Sequence, residues 1–106
     1  GAFMQAPAVG IVAVVDGFIS GVAALCAVRM HPSCRACMVF ATGLAEEPSA
    51  GRGGDILQAA LHAKPALAMD LRLGEASGAT LAVPLLRAAA ALVQAGTLEE
   101  ALALGS

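Results

Sequence analysis

Tryptophan and tyrosine are absent from this 106-residue chain, and three Phe make up its whole 3% aromatic share. Charge is scarce too, with Asp, Glu, Lys and Arg together at 13%, where an ordinary soluble domain carries about 25%. The six Lys and Arg are spread along the chain and the net charge is −2. No basic patch results, which excludes nucleic acid as a partner. No apolar run reaches the ~18–20 residues of a membrane helix before a charge interrupts it, so no membrane segment is expected. A basic leader followed by an apolar core is missing as well, so no secretory signal is expected and a cytoplasmic setting is implied.

The hydrophobic share is 58%, and it excludes disorder. Ala accounts for 26 residues and explains much of the excess, since it counts as apolar yet contributes little burial area. The length bounds the chain to one modest domain over residues 1–106, or a piece of a larger one. Cysteine is limited to Cys26, Cys34 and Cys37. His31, Cys34 and Cys37 have the spacing of a zinc half-site. Tetrahedral zinc needs four ligands, however, and His62 is the only other His. Buried or idle thiols are the preferred reading, and no metal or cofactor is assigned.

Gly1–Val9 reads as the end of an Ala-rich helix. Gly10–Val15 and Cys37–Ala41 are short apolar runs of the kind that form interior parallel strands covered on both faces. Phe18–Met30 places Phe18, Val22, Leu25 and Arg29 at helical spacing, with His31–Pro32 as the stop. Gly43–Gly54 reads as a loop. Asp55 then caps a helix over Ile56–Ala63 that Pro65 closes. Leu67–Leu73 is expected to be extended or irregular. Ala79–Gln94 is a long helix with Pro84 placed near its first turn. Thr97 and Glu100 have capping-box spacing at the start of a last short helix. The pattern implies an α/β fold of three layers, with Ala-rich helices over short buried strands.

Ligands of open parallel sheets sit at the carboxyl ends of the strands. Asp16–Gly17 and the loop from Gly43 to Glu47 follow the two strands, and Gly74–Gly78 (GEASG) precedes the long helix. The glycines around Glu75 and Ser77 let backbone approach a ligand, and a carboxylate held there could take a proton from a substrate nitrogen or hydroxyl. Alternatively Glu75 favours the positive helix end and Ser77 caps it. Asp16 either binds a hydroxyl-rich ligand or caps the helix that begins near Phe18. Glu46 and Glu47 read as a solvated acidic turn and Arg72 as a surface ion pair. His31 and His62 read as features of helix carboxyl ends.

The string LRLGEASG at Leu71–Gly78, with ATLAVPLLRAAAALV after it, resembles the C-terminal signature of the nicotinate-nucleotide–dimethylbenzimidazole phosphoribosyltransferase family. That signature reads LRLGEGSGAALALPLLRAA, and the match spans about twenty positions. Asp16–Leu25 (DGFISGVAAL) is similar to the family's V-D-G-F segment, Gly1–Ala6 to the helix before it, and Thr97–Ala101 to its usual carboxyl end. The resemblance covers nearly all of this chain and about the last third of a family member. It implies the C-terminal part of a Rossmann-like parallel sheet, and an enzyme that moves phosphoribose from nicotinate mononucleotide to 5,6-dimethylbenzimidazole in cobalamin lower-ligand synthesis. By position in the motif, Glu75 is the glutamate that takes the proton of the base. Asp16 and Gly17 match residues lining the ribose-phosphate site, and Leu73, Gly74, Ser77 and Gly78 border the substrates. No cofactor is implied.

Three departures stand out. The family loop H-x-S-A-E-P-G-H is replaced here by the segment from Thr42 to Ala50, with Leu44 at the Ser position. Gly51–Gly54 resembles a small insertion, and Ala76 stands where the family has glycine. By the same resemblance, the phosphate-binding glycines and an assisting lysine lie upstream. The fragment alone is therefore expected to be inactive, needing a complementing N-terminal portion or a homodimer partner. The competing expectation is a non-catalytic truncated homologue that binds a partner or dimerises.

Overall fold

β-branched residues after a glycine stop favour extended chain, and in the computed structural model Ala13–Val15 forms strand β1 directly after helix α1 (Ala2–Val9). The structure describes residues 1–45, 51–71 and 73–105. Gly10 ends α1 in the left-handed region at φ 69°, and its N–H bonds back to the carbonyls of Ala6 and Pro7. Helix α2 runs over Phe18–Met30, the expected span, and a 3₁₀ helix over Pro32–Cys37 leads into strand β2, Met38–Phe40. The two strands pair in parallel, with Ala13, Val14 and Val15 opposite Met38, Val39 and Phe40. Ala66 and Leu67 then donate to the carbonyls of Phe40 and Ala41, so the segment expected to be extended begins a parallel pairing beside the end of β2.

This is an α/β chain with a small parallel sheet among the described residues. Val15, Met38 and Phe40 are buried, while Val14 and Val39 are half-buried. The strands thus alternate, and the expectation of equal cover on both faces does not hold. The core lies on one side, where Val15 and Phe40 meet Ala24 and Ala27 of α2, Cys34 of the 3₁₀ helix, and Leu44, Leu57 and Leu61. Cys34 serves there as a small apolar side chain.

Helix α3 spans Gly51–Ala60 rather than Ile56–Ala63. The difference lies in the glycines. A Cβ built on Gly54 would stand 2.5 Å from Cα of Ala45 and 2.7 Å from the Leu44 carbonyl oxygen. Gly54 is therefore a close-packing residue, and Gly53 abuts the Phe18 ring. Each glycine costs a helix about 1 kcal/mol in propensity, but the tight approach to Ala45 is open only to glycine. Asp55, expected as the cap, is an exposed residue inside the helix. The carboxyl end closes with His62 at φ 48°, where the N–H of Ala63 reaches the Gln58 carbonyl and that of His62 the Ala59 carbonyl, a Schellman arrangement.

Arg35 braces that end. Its Nε donates to the Leu61 carbonyl at 2.7 Å and Nη2 to the His62 carbonyl at 3.0 Å. The guanidinium lies 4.8 Å from the centre of the Phe40 ring. A cation at a helix carboxyl end stacked on a core aromatic ties α3 to β2.

Helix α4 runs over Ser77–Gln94 and α5 over Leu98–Leu104. Pro84 is well inside α4 rather than near its first turn, because the helix begins two residues earlier than expected. Lacking an N–H, it gives nothing to the Thr80 carbonyl. The capping box of α5 forms as expected, with the Glu100 N–H on Thr97 Oγ1 at 3.2 Å and the Thr97 N–H on Glu100 Oε2 at 2.7 Å. By length and composition, α4 is apolar enough to cross a membrane, with one charge, Arg87, inside it.

Replacing Arg35 with Ala should lower stability by about 1–2 kcal/mol, from two charge-assisted hydrogen bonds and the ring contact in a partly exposed setting. Arg35→Lys should recover less than half of the loss, because a single ammonium cannot serve both carbonyls and the ring. Denaturant titration followed by circular dichroism measures both.

Candidate functional site

The carboxyl ends of β1 and β2 and the amino end of α4 meet at one place. Asp16 follows β1, Thr42 follows β2, and the loop Gly74–Ala76 leads into Ser77. Asp16 does not cap α2. That helix begins after Gly17, and Ser20 Oγ accepts from the N–H groups of Asp16 and Gly17 at 3.1 and 3.0 Å. The Asp16 carboxylate reaches instead across the chain, where Oδ1 accepts the N–H of Ala79 at 2.8 Å, 63 positions away. Thr42, 7% exposed, donates its hydroxyl to the Asp16 carbonyl at 2.8 Å.

Ser77 does not cap α4 either. The N-cap position is held by Ala76, whose side chain has no acceptor, and no side-chain cap bond forms there. Asp16 supplies the acceptor that the local sequence lacks. Gly78 makes the approach possible: a Cβ there would lie 2.6 Å from Thr42 Cγ2 and 3.2 Å from Asp16 Oδ1.

The loop before α4 is unusual in its backbone. Gly74, Glu75 and Ala76 have φ of 75°, 53° and 61°, three left-handed residues in succession. The Ser77 N–H closes on the Gly74 carbonyl at 3.0 Å, with two positive-φ residues in the centre as in a type I′ turn. A left-handed residue bearing a Cβ costs roughly 1–2 kcal/mol. Glu75 thus stands exposed on a strained turn, and Leu73 beside it is 79% exposed.

Below the turn is a cavity of ≈ 10 Å³, lined by Asp16 and Gly17 after β1, Thr42 after β2, Leu71, and Gly74, Ser77 and Gly78. That is about one water molecule. Five of the expected site residues share this cavity, while Glu75 and Leu73 stand outside its lining. Sequence reasoning missed Thr42 and Leu71. Thr42 was open to discovery, since it follows a strand-like run just as Asp16 does. Leu71 carries no comparable signal. Glu46, Glu47, the rest of the loop to Ala50, and Arg72 lie outside the described residues. Among the described residues no three His, Cys, Asp or Glu side chains gather, and Cys34 is buried while His31 is exposed.

A sequence profile described as Phosphoribosyltransferase matches residues 1–102. A Pseudomonas putida (strain KT2440) protein named nicotinate-nucleotide–dimethylbenzimidazole phosphoribosyltransferase is 54% identical over 92 residues. The chain belongs to this family. Proteins of the same name from Pseudomonas aeruginosa (strain PAO1) and Xanthomonas campestris pv. campestris (strain B100) are 52% and 50% identical over 92 residues. Each alignment covers 87% of this chain and 25% of the relative. The chain therefore spans about a quarter of the length of the curated relatives it matches, less than the third that the motif resemblance implied. No solved structure matches. Within the family signature LRLGEGSG, Ala76 departs at one of the three left-handed positions, where the family's glycine would carry no steric cost.

Two substitutions test this geometry. Ala76→Gly should raise stability by about 1 kcal/mol, the relief of left-handed strain less the entropy that glycine adds to the unfolded chain. Gly78→Ala should lower it by about 2 kcal/mol, because the added methyl meets Thr42. Thermal melts of the two variants should move in opposite directions.

Proposed function

We propose that this chain supplies the base side of a phosphoribosyl-transfer site, acting together with the remaining length of its family. The reaction moves the 5-phosphoribosyl group of nicotinate mononucleotide to 5,6-dimethylbenzimidazole, giving α-ribazole 5′-phosphate and nicotinate, in cobalamin lower-ligand synthesis. A ring nitrogen of the base attacks C1′ of the ribose as the bond from C1′ to the pyridinium nitrogen breaks. The bonding pair goes to the nicotinate ring, the configuration at C1′ inverts, and the Glu75 carboxylate takes the proton from the other ring nitrogen.

The observation that supports this reading is the turn Gly74–Ala76, in which Glu75 is exposed next to Gly74, a residue lining the cavity where two parallel strands end. A carboxylate is a weak base, so its use depends on orientation and on exclusion of water. The hydrogen-bonded turn supplies the first. The leaving group is already cationic in the substrate, so the protein's main tasks are placement and proton removal. A cavity of ≈ 10 Å³ is far too small for a fused ring. The base therefore lies over its mouth against Leu73, with Gly17, Gly74, Ser77 and Gly78 forming the floor. The rest of the enclosure comes from a complementing portion or a second subunit, on a Rossmann-like sheet that further parallel strands extend.

Charge supports the same division of labour. The positive end of a helix attracts anions, and at α4 the Asp16 carboxylate already fills that position. The substrate phosphate is left to another part of the assembled site.

A second reading, a non-catalytic domain that docks on a partner, draws on exposed apolar side chains of α4 and α5, among them Leu92, Val93, Leu98 and Leu104. Sedimentation as a stable monomer across concentration would count against it. The catalytic reading is tested by nicotinate release from a full-length family chain carrying these residues, given both substrates. Glu75→Gln should reduce kcat by about 10²- to 10⁴-fold, the usual contribution of a positioned general base. Turnover within twofold of the parent would remove Glu75 from the mechanism.

A further inference from the structure

We infer that Asp16 is a positioning residue, acting on Glu75 through the first turn of α4 rather than through the substrate. The inference rests on the reading of Glu75 as proton acceptor and adds to it the group that holds that acceptor in place. Helix starts leave orphan N–H groups, and a side chain at the N-cap normally takes the one at the second or third helical position. In α4 the N-cap is Ala76, and the N–H of the third helical residue, Ala79, is taken by Asp16 Oδ1 at 2.8 Å. Asp16 is in turn fixed by Thr42, whose hydroxyl holds its carbonyl at 2.8 Å. Two strand ends thus grip one helix start across 63 and 26 positions of sequence.

The turn that carries Glu75 has its own bond, Ser77 N–H to the Gly74 carbonyl, and ends in the helical turn that Asp16 secures. Left-handed Glu75 and Ala76 favour relaxation toward ordinary backbone. Such strain persists only where surrounding contacts over-determine it. Among the described residues, the bond from Ala79 to Asp16 ties this end of α4 to the end of β1, beside the packing of Gly78 on Thr42. An Asn at position 16 keeps an oxygen able to accept from Ala79, whereas Ala does not, so the pair separates a cap from a charge.

In isotopically labelled protein, Asp16→Ala should speed amide hydrogen exchange at Ala79 about tenfold and shift the Glu75 amide resonance. Asp16→Asn should keep exchange within about threefold of the parent and leave the Glu75 resonance in place. Thr42→Val should loosen the same amides where Thr42→Ser does not, which serves if Asp16→Ala folds poorly. In the full-length chain, Asp16→Ala should lower kcat about ten- to a hundredfold with KM for nicotinate mononucleotide moving less than threefold. Asp16→Asn should recover most of that kcat. A rise in that KM as large in Asp16→Asn as in Asp16→Ala would overturn the inference, because it would mark a carboxylate that touches substrate. Unchanged exchange at Ala79 in Asp16→Ala would overturn it as well. Failure of the Glu75 reading is distinct, since Glu75→Gln would then turn over normally while exchange at Ala79 still responded to Asp16.

Discussion

The hydrogen bond from the Ala79 N–H to the Asp16 carboxylate joins two parts of this chain whose described residues otherwise touch little. On one side is the packed unit of β1, β2, α2 and α3 around Phe40, Leu44 and Leu57. On the other is α4, with only Gly78 and Ala82 buried, followed by α5 with none. The chain is accordingly elongated, 55 by 31 by 22 Å. Where burial is slight, a charge-assisted bond at a helix start has more influence on placement than it would inside a core.

Glycine sets how closely these parts approach. Gly78 brings α4 against Thr42 and Asp16, Gly54 brings α3 against Ala45, and a Cβ on Gly21 of α2 would stand 3.0 Å from methyls of Leu44 and Leu57. In each case the benefit is the missing Cβ, and the backbone there is ordinary helix. Gly74 differs, since its φ of 75° uses the other freedom of glycine. One residue type therefore serves two physical ends within five positions of the site.

Much of the local structure was legible in the sequence, and the failures have specific causes. The β-branched runs, the span of α2 and the capping box at Thr97 were readable because each depends on neighbours in sequence. The Gly51–Gly54 stretch has loop composition yet is helical, with Gly53 and Gly54 packed close to Phe18, Leu44 and Ala45, residues far from it in local pattern. Asp16 reads either as binding a hydroxyl-rich ligand or as capping the helix beside it; the cap it makes is on another helix, at Ala79, 63 positions on. Ser77 looked like a cap, but the turn brings Ala76 to that position. Glu75 and its glycines stand out in the sequence only through the motif. Thr42 was overlooked because a lone threonine after a strand has no distinctive pattern.

The free side of β1 has a consequence for how this chain behaves among its neighbours. Among the described residues β1 pairs only with β2, and its Ala13 and Val14 line an apolar groove of about 360 Å³ together with Phe3, Val9 and Ile11. An open strand next to apolar side chains is the usual starting point for unwanted association. Here the strand is three residues long, so an added segment could form only a few slanted ladder bonds before the edge runs out.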